Sequence, residues 1–364
     1  MNERVAQARA LMERVLRGGA SLAEEYPLVF GARAAGELET LEEQGEVRAA
    51  CALLVRDLVC GHERLRVGLV GSVCAHEAHR RRGLGRRLLE RAEARLAELG
   101  CTLGLLWADD PGWYERQGWR AAGCELLYAL DAASLAAVAP DSDARVRAAA
   151  PDDFAALHRL YAAHPTRVDR TLGESRALLG GPGVDTLVLE RGRDVVAYAC
   201  VGRGADLAGC LHEWAGAPDD VLRLAREHLA RRSRAGEAPP LYLMTPSDAR
   251  ALHARLDALG VPGHRGVLGM LKLLDPSAAT DFVRRAARGH VTAGIGATRD
   301  EGVTLLDARF SGPAGELSLA PDALLDLLVP PRGERSAIQS LERATGTSLP
   351  TLPLPLYLWG LDSI

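Results

Sequence analysis

The run His79-Arg80-Arg81-Arg82-Gly83-Leu84-Gly85-Arg86-Arg87 has the residue types and spacing of an anion cradle. A β-type stretch at 69–75 leads into it. Behind it Leu88, Leu89, Ala92, Leu96 and Leu99 recur at helical three- and four-residue spacing. Strand, glycine loop, helix start is the order that aims free backbone N–H groups and a helix dipole at one point. Gly83 and Gly85 leave the main chain open to phosphate oxygens, and the arginines add charge and bidentate donors. A diphosphate suits that chemistry. A nucleotide P-loop does not, because Arg86 and Arg87 follow the last glycine where Lys and then Ser or Thr are needed. A dinucleotide fingerprint needs three spaced glycines, and two are present. From the loop alone, a solvated basic turn or a weak nucleic-acid patch stays open.

The segment beyond the helix narrows the choice. Gly100 suits a helix C-cap, and the apolar run 101–107 reads as a strand. There follows Ala108-Asp109-Asp110-Pro111-Gly112-Trp113-Tyr114-Glu115-Arg116-Gln117-Gly118-Trp119. With both segments in view, the chain resembles the GCN5-related N-acetyltransferase (GNAT) superfamily. Arg80-Arg81-Arg82-Gly83-Leu84-Gly85 fits that family's acetyl-CoA signature, Gln/Arg-x-x-Gly-x-Gly/Ala. The stretch from Trp113 to Trp119 fits its aromatic-Tyr-x-x-x-Gly-aromatic segment. Residues 65–73 running into 79–83, together with 24–31, also resemble the Eis-like branch (enhanced intracellular survival proteins). The resemblance is strongest over 24–130, moderate near the final residues and architectural between.

That resemblance implies an α/β (α+β) fold with tandem GNAT-like mixed-sheet domains and a C-terminal sterol-carrier-like α+β domain. The expected boundaries are 1–143, 144–275 and 276–364, the first break falling in Ala139-Pro140-Asp141-Ser142-Asp143. It implies acetyl-CoA as cosubstrate, held by Arg80, Arg81, Arg82, Gly83, Leu84, Gly85 and Arg86. The main chain of Val73, Cys74 and Ala75 would pair with the pantetheine arm as an added strand does, with the Val73 N–H on the thioester oxygen. Asp109 and Asp110 would border the cofactor or acceptor, and Asp110 before Pro111 equally suits a helix N-cap. Tyr114 takes the general-acid position; a phenol with a reference pKa near ~10 stays protonated at neutral pH. In the Eis-like pattern the terminal carboxylate is the base, which places that role on Ile364. The family typically ends in an aromatic residue, and isoleucine is a departure. A docked apolar tail without chemistry is the other reading. The acceptor would be a primary amine: an aminoglycoside-like polyamine, a small metabolite or a lysine side chain. A non-catalytic acyl-CoA-binding or scaffold protein is the alternative, and the relatives imply a homo-oligomer.

Composition bounds these readings. A chain of 364 residues exceeds one ordinary core. A net charge of −4 argues against nonspecific nucleic-acid binding. Seven cysteines without a C-x-x-C pair suggest a reducing cytoplasm and neither a disulfide framework nor a metal site. No signal-type core opens the chain and no run approaches the ~20 apolar residues of a membrane span; a cytoplasmic protein without membrane contact is expected. Lys272 is the only lysine.

Periodicity predicts helices at 6–16 and 22–30 and strands at 48–58 and 66–75. The second part predicts helix 154–163, strands 185–190, 194–202 and 207–215, helix 219–232, strand 241–244 and helix 247–259. Where a second phosphate loop should fall, the chain reads His212-Glu213-Trp214-Ala215-Gly216-Ala217-Pro218. This half is read as packing and pocket-shaping; His212 and Glu213 could reach an active site, but residues of this kind are more often satisfied inside their own sheet. Near the end, 316–325 reads as strand then Pro-started helix. The tail with Pro350, Pro353 and Pro355 should run extended and buried.

Overall fold

Long alternating runs rich in Val, Leu and Ala produce the central hairpin, Glu46–Cys60 against Glu63–Ala75, joined by the two-residue turn Gly61-His62 with Gly61 at φ +65°. The computed structural model describes residues 3–31, 34–237, 240–288, 290–300 and 303–364, without the side chains of 297–300 and 303–306. It divides into two units, each discontinuous in sequence. The first comprises Met1–Leu16, Glu37–Cys124 and Val267–Leu356; the second comprises Arg17–Gly36, Glu125–Gly266 and Tyr357–Ile364.

In the first unit the strand order is Glu37–Glu43, Glu46–Cys60, Glu63–Ala75, Leu103–Leu106, Gly269–Leu273, Arg120–Ala122. Helix Leu84–Glu98 buries Leu84, Leu88, Leu89, Ala92 and Leu96 in one cluster with Cys51, Leu53 and Val70. A fully buried leucine contributes about 1.5–3 kcal/mol over an exposed one, so this single face anchors the helix on the sheet. The same unit holds a three-stranded antiparallel sheet, Thr292–Asp300, Val303–Gly312 and Gly315–Leu319.

The second unit is a seven-stranded sheet in the order Gly263–Gly266, Glu125–Leu130, Leu241–Pro246, Cys210–Ala215, Asp194–Val201, Asp185–Arg191, Ala144–Ala148. The sequence reading placed neither Glu125–Leu130 nor Gly269–Leu273. The first pairs antiparallel with Leu241–Pro246. The second lies between Leu103–Leu106 and Arg120–Ala122. The expected helix 22–30 is two short ones, Leu22–Glu25 and Pro27–Phe30. Tyr26 leaves the helical region at φ −126°, ψ 67°, because the residue before a proline is crowded out of it. The strand expected at 207–215 starts at Cys210, and the helix expected at 247–259 starts at Arg250.

The tail is buried and irregular until a short turn at Gly360–Asp362. In the second unit its contacts are ionic as well as apolar. The Arg170 guanidinium reaches Asp362 at 2.6 and 2.7 Å and Glu213 at 2.6 Å. Tyr161 donates to Asp362 at 2.8 Å and Tyr198 to Glu213 at 3.0 Å. Arg203 donates to the Leu361 and Ser363 carbonyls and to Ser363 Oγ. Burial pushes the Glu213 carboxyl up, and Arg170 pulls it back. Removing that cation leaves two carboxylates buried together. Arg170→Met should therefore cost about 3–5 kcal/mol, read from denaturant unfolding of the full chain; a loss under ~1 kcal/mol contradicts the assignment.

Candidate functional site

The strand feeding the basic loop is bulged. Ala50 faces Cys74 and Ala52 faces Gly71, so two steps on one strand meet three on its partner. Ser72 absorbs the extra residue with φ +51°. Such a bulge re-aims the strand and interrupts its ladder. On the other side, the parallel pairs with Leu103–Leu106 run from Val67↔Leu103 to Leu69↔Leu105. Among the described residues, 70–75 have no strand partner on that side. An open main-chain edge therefore leads straight into the loop, at the residues Val73, Cys74 and Ala75. The Cys74 thiol is buried, which pushes it up to about 11; it is a wall, not a nucleophile.

A single 3-10 turn, Glu77–His79, carries the chain into the arginines. Gly83 begins helix Leu84–Glu98 with φ +75° and no side chain caps that helix. The left-handed φ is why glycine stands there. At Gly85 the requirement is space, since an added Cβ would lie 3.2 Å from the Trp113 ring. Arg82 is held bidentately by Glu43 at 3.0 and 3.3 Å, and Arg86 by Glu90 at 2.8 Å. Arg80 and Arg81 are exposed, with no side-chain hydrogen bond or ion pair among the described residues. Of these four arginines, Arg82 and Arg86 are thus spent on the scaffold, and Arg80 and Arg81 are available to an anion. The uncapped helix start, the glycine cradle and these cations fit a diphosphate.

Tyr114 sits on the short helix Pro111–Glu115. Asp110 caps it, its carboxylate accepting the Trp113 N–H at 3.2 Å, and proline occupies the first turn. Asp109 is exposed. The Tyr114 ring meets Trp113 edge-on at 4.7 Å and Trp119 at 6.5 Å. Burial, then Cys51, Asp109 and Asp110, push its phenol up to about 12. Trp119 is fully buried and donates to Glu93 at 2.8 Å; Lys272 binds the other Glu93 oxygen at 2.7 Å. A polar cavity of ≈ 290 Å³ runs along the helix past Arg86, Glu90 and Glu93 to Arg116 and Lys272. Ile364 is half-buried in the second unit, next to the Ser363 that Arg203 holds.

In the second unit His212 Nε2 donates to the Gly202 carbonyl, 2.8 Å away, and burial pushes its imidazole down to about 3. Glu213 is engaged by Arg170 and Tyr198. Glu213 is satisfied within its own unit, whereas His212 Nδ1 is buried without a hydrogen-bond partner. Sequence reasoning missed the bulge, the Glu43 clamp and the Lys272–Glu93 tie. Only the acidic pattern of 37–43 could have hinted at the clamp.

Comparison with known proteins bears on the fold and on the type of domain in the first part of the chain. A family model described as an acetyltransferase (GNAT) domain matches residues 22–122. No curated protein matches the chain. Among solved structures, a GCN5-related N-acetyltransferase from Anabaena variabilis superposes with TM-score 0.63 at 12% identity, covering 100% of this chain and 98% of that one. One from Kribbella flavida gives 0.60 at 15%, again over 100% and 98%. Eis1 from Mycobacterium abscessus gives 0.54 at 16%, over 95% of each chain. At these identities the likeness is one of fold. Among the described residues no cluster of His, Cys, Asp and Glu could hold a metal, and no helix is long and apolar enough to cross a membrane.

Because the folded phenol of Tyr114 is raised, it should remain protonated beyond the usual tyrosine range. In a difference titration of phenolate absorbance between the wild type and Tyr114→Phe, its signal should rise with a midpoint near about 12. A midpoint at the ordinary ~10 contradicts the burial described.

Proposed function

We propose that this chain, whose residues 22–122 match an acetyltransferase (GNAT) domain, is an acyltransferase that passes the acetyl group of acetyl-CoA directly to a primary amine in a ternary complex. The observation that carries this reading is the open edge at 70–75 ending at an uncapped helix start, with Tyr114 in the same unit.

The diphosphate is held by Arg80, Arg81 and the main chain from Gly83 to Arg86, with Arg82 fixed by Glu43 to shape the turn. The pantetheine amides pair with the exposed main chain of Val73, Cys74 and Ala75 in the manner of an added strand. The neutral amine attacks the thioester carbonyl, and the Val73 N–H donates to the developing oxyanion. The C–S bond breaks as the tetrahedral intermediate collapses. Tyr114 gives its proton to the leaving sulfur, a role for which a phenol raised to about 12 is always charged with a proton at neutral pH. The amine's proton goes to a base, which we assign to the Ile364 carboxylate on the resemblance to the Eis-like branch. Asp109 borders the acceptor, where its charge attracts a cationic amine; Asp110 serves as the cap that sets Tyr114. No acyl-enzyme is needed, in keeping with the buried Cys74 thiol. The domain layout 1–143, 144–275 and 276–364, GNAT-like, second GNAT-like and sterol-carrier-like, is part of the same proposal.

The test is thiol release from acetyl-CoA by the full chain over a panel of primary amines. Tyr114→Phe should lower turnover by about 100-fold or more while leaving the KM for acetyl-CoA unchanged. Replacing Arg80 and Arg81 by alanine should raise that KM by roughly tenfold or more, since two charge-assisted contacts are lost. Binding of acetyl-CoA without release on any amine would favour the non-catalytic binder.

A further inference from the structure

The first unit has a cavity that the transfer chemistry leaves unused. It is polar, holds ≈ 290 Å³, and lies against helix Leu84–Glu98. From the helix it takes Arg86, Glu90 and Glu93, whose four- and three-residue spacing is that of a single stripe. Between Arg86 and Glu93 the helix rises by about 10 Å. The cavity therefore extends for that length from the same turn at which the anion cradle ends. Its other polar lining is Arg116 and Gln117, just past the helix that carries Tyr114, and Lys272.

The charges around it do not cancel. Both oxygens of Glu93 are engaged: one accepts the Trp119 indole N–H at 2.8 Å, the other the Lys272 ammonium at 2.7 Å. Lys272 also donates to the Gln117 carbonyl at 2.8 Å. Glu90 accepts from Arg86 Nε at 2.8 Å. Arg116 stands apart. It is exposed, and among the described residues its guanidinium has no side-chain hydrogen bond or ion pair. Two cation–carboxylate pairs offset one another, and the cavity keeps the charge of one arginine. A guanidinium is a planar fork of donors that fits two phosphate oxygens at once.

We propose that this cavity is a subsite for the 3′-phosphoadenosine end of coenzyme A, with Arg116 on the 3′-phosphate. The subsite rests on the cosubstrate reading above and extends it to the part of the molecule that takes no share in the reaction. Covalent structure makes the connection. The ribose of the nucleotide is joined to the diphosphate through a single methylene, so a diphosphate at the helix start brings the nucleoside within a short step of Arg86. The mixed lining suits such a group. Arg116 takes the phosphate, and the second oxygen of Glu90 is left to accept from the adenine amino group. Donor choice follows. A free acyl-CoA fills this cavity, whereas an acyl group on the phosphopantetheine arm of a carrier protein has no nucleotide to place there.

The test is calorimetry of the full chain with coenzyme A and with 3′-dephospho-coenzyme A, which differ by that phosphate alone. The wild type should bind coenzyme A about tenfold more tightly, the effect of one charge-assisted fork. Arg116→Met should weaken coenzyme A by the same factor and leave the dephospho form unchanged, so that the variant no longer tells the two apart. Replacing Arg80 and Arg81 by alanine should instead weaken both ligands equally, since both carry the diphosphate. Equal affinities in the wild type overturn the subsite, as does an Arg116→Met variant that still discriminates. Either result leaves the cosubstrate reading standing. Failure of the wild type to bind either ligand overturns that reading and the subsite with it. The comparison within the wild type needs no variant, so it decides the matter even if Arg116→Met does not fold.

Discussion

Everything at the site follows from the parting of two parallel strands. Glu63–Ala75 and Leu103–Leu106 stay paired only as far as Leu69↔Leu105. The bulge around Ser72 turns the first strand away while its other edge remains bonded to Glu46–Cys60. Backbone groups inside a sheet are normally all paired, so a stretch released on one side must find its partners elsewhere. The neighbouring loop reinforces this demand, since its helix begins without a capping side chain. Unpaired main chain and uncapped helix lie consecutively along one short segment. On the function proposed above, that continuity would let a long, thin cosubstrate be bound along its length and not merely at its charged end.

The scaffold protects this opening with ion pairs placed on the loop's flanks. Glu43 fixes Arg82, Glu90 fixes Arg86, and the sole lysine ties Glu93 to the Gln117 carbonyl. Exposed pairs of this sort contribute little to stability, typically under ~1 kcal/mol. Their effect is geometric: they hold the surrounding arginines still while Arg80 and Arg81 stay uncommitted. In the second unit the economy is reversed. There the charges are buried, Arg170 is shared by two carboxylates, and the interaction decides whether the tail can occupy the interior at all.

Much of this was legible in the residues. The helix after the loop was written in its apolar spacing, the glycine requirement at Gly83 in its neighbours, and Tyr114 in a motif of aromatic residues at fixed separation. The internal pairing of Glu213 was also legible from its place in an apolar strand, while the unpartnered Nδ1 of His212 was not. Two other things were not. A bulge centred on Ser72, a residue with no special preference for positive φ, leaves no mark in composition. Strand partners were equally hidden, because Gly269–Leu273 has the pattern of a buried strand but nothing that names its neighbours. Register depends on contacts distant in sequence, and a local pattern does not carry it.

The placement of that strand has a consequence for biogenesis. The edge of Leu103–Leu106 is completed by residues that leave the ribosome long after it, with most of the second unit made in between. At ordinary elongation rates the delay is on the order of ten seconds. Throughout it the nascent first sheet carries an apolar, unpaired strand edge of the kind that chaperones recognise. The first sheet is therefore completed only after Gly269–Leu273 has been synthesised.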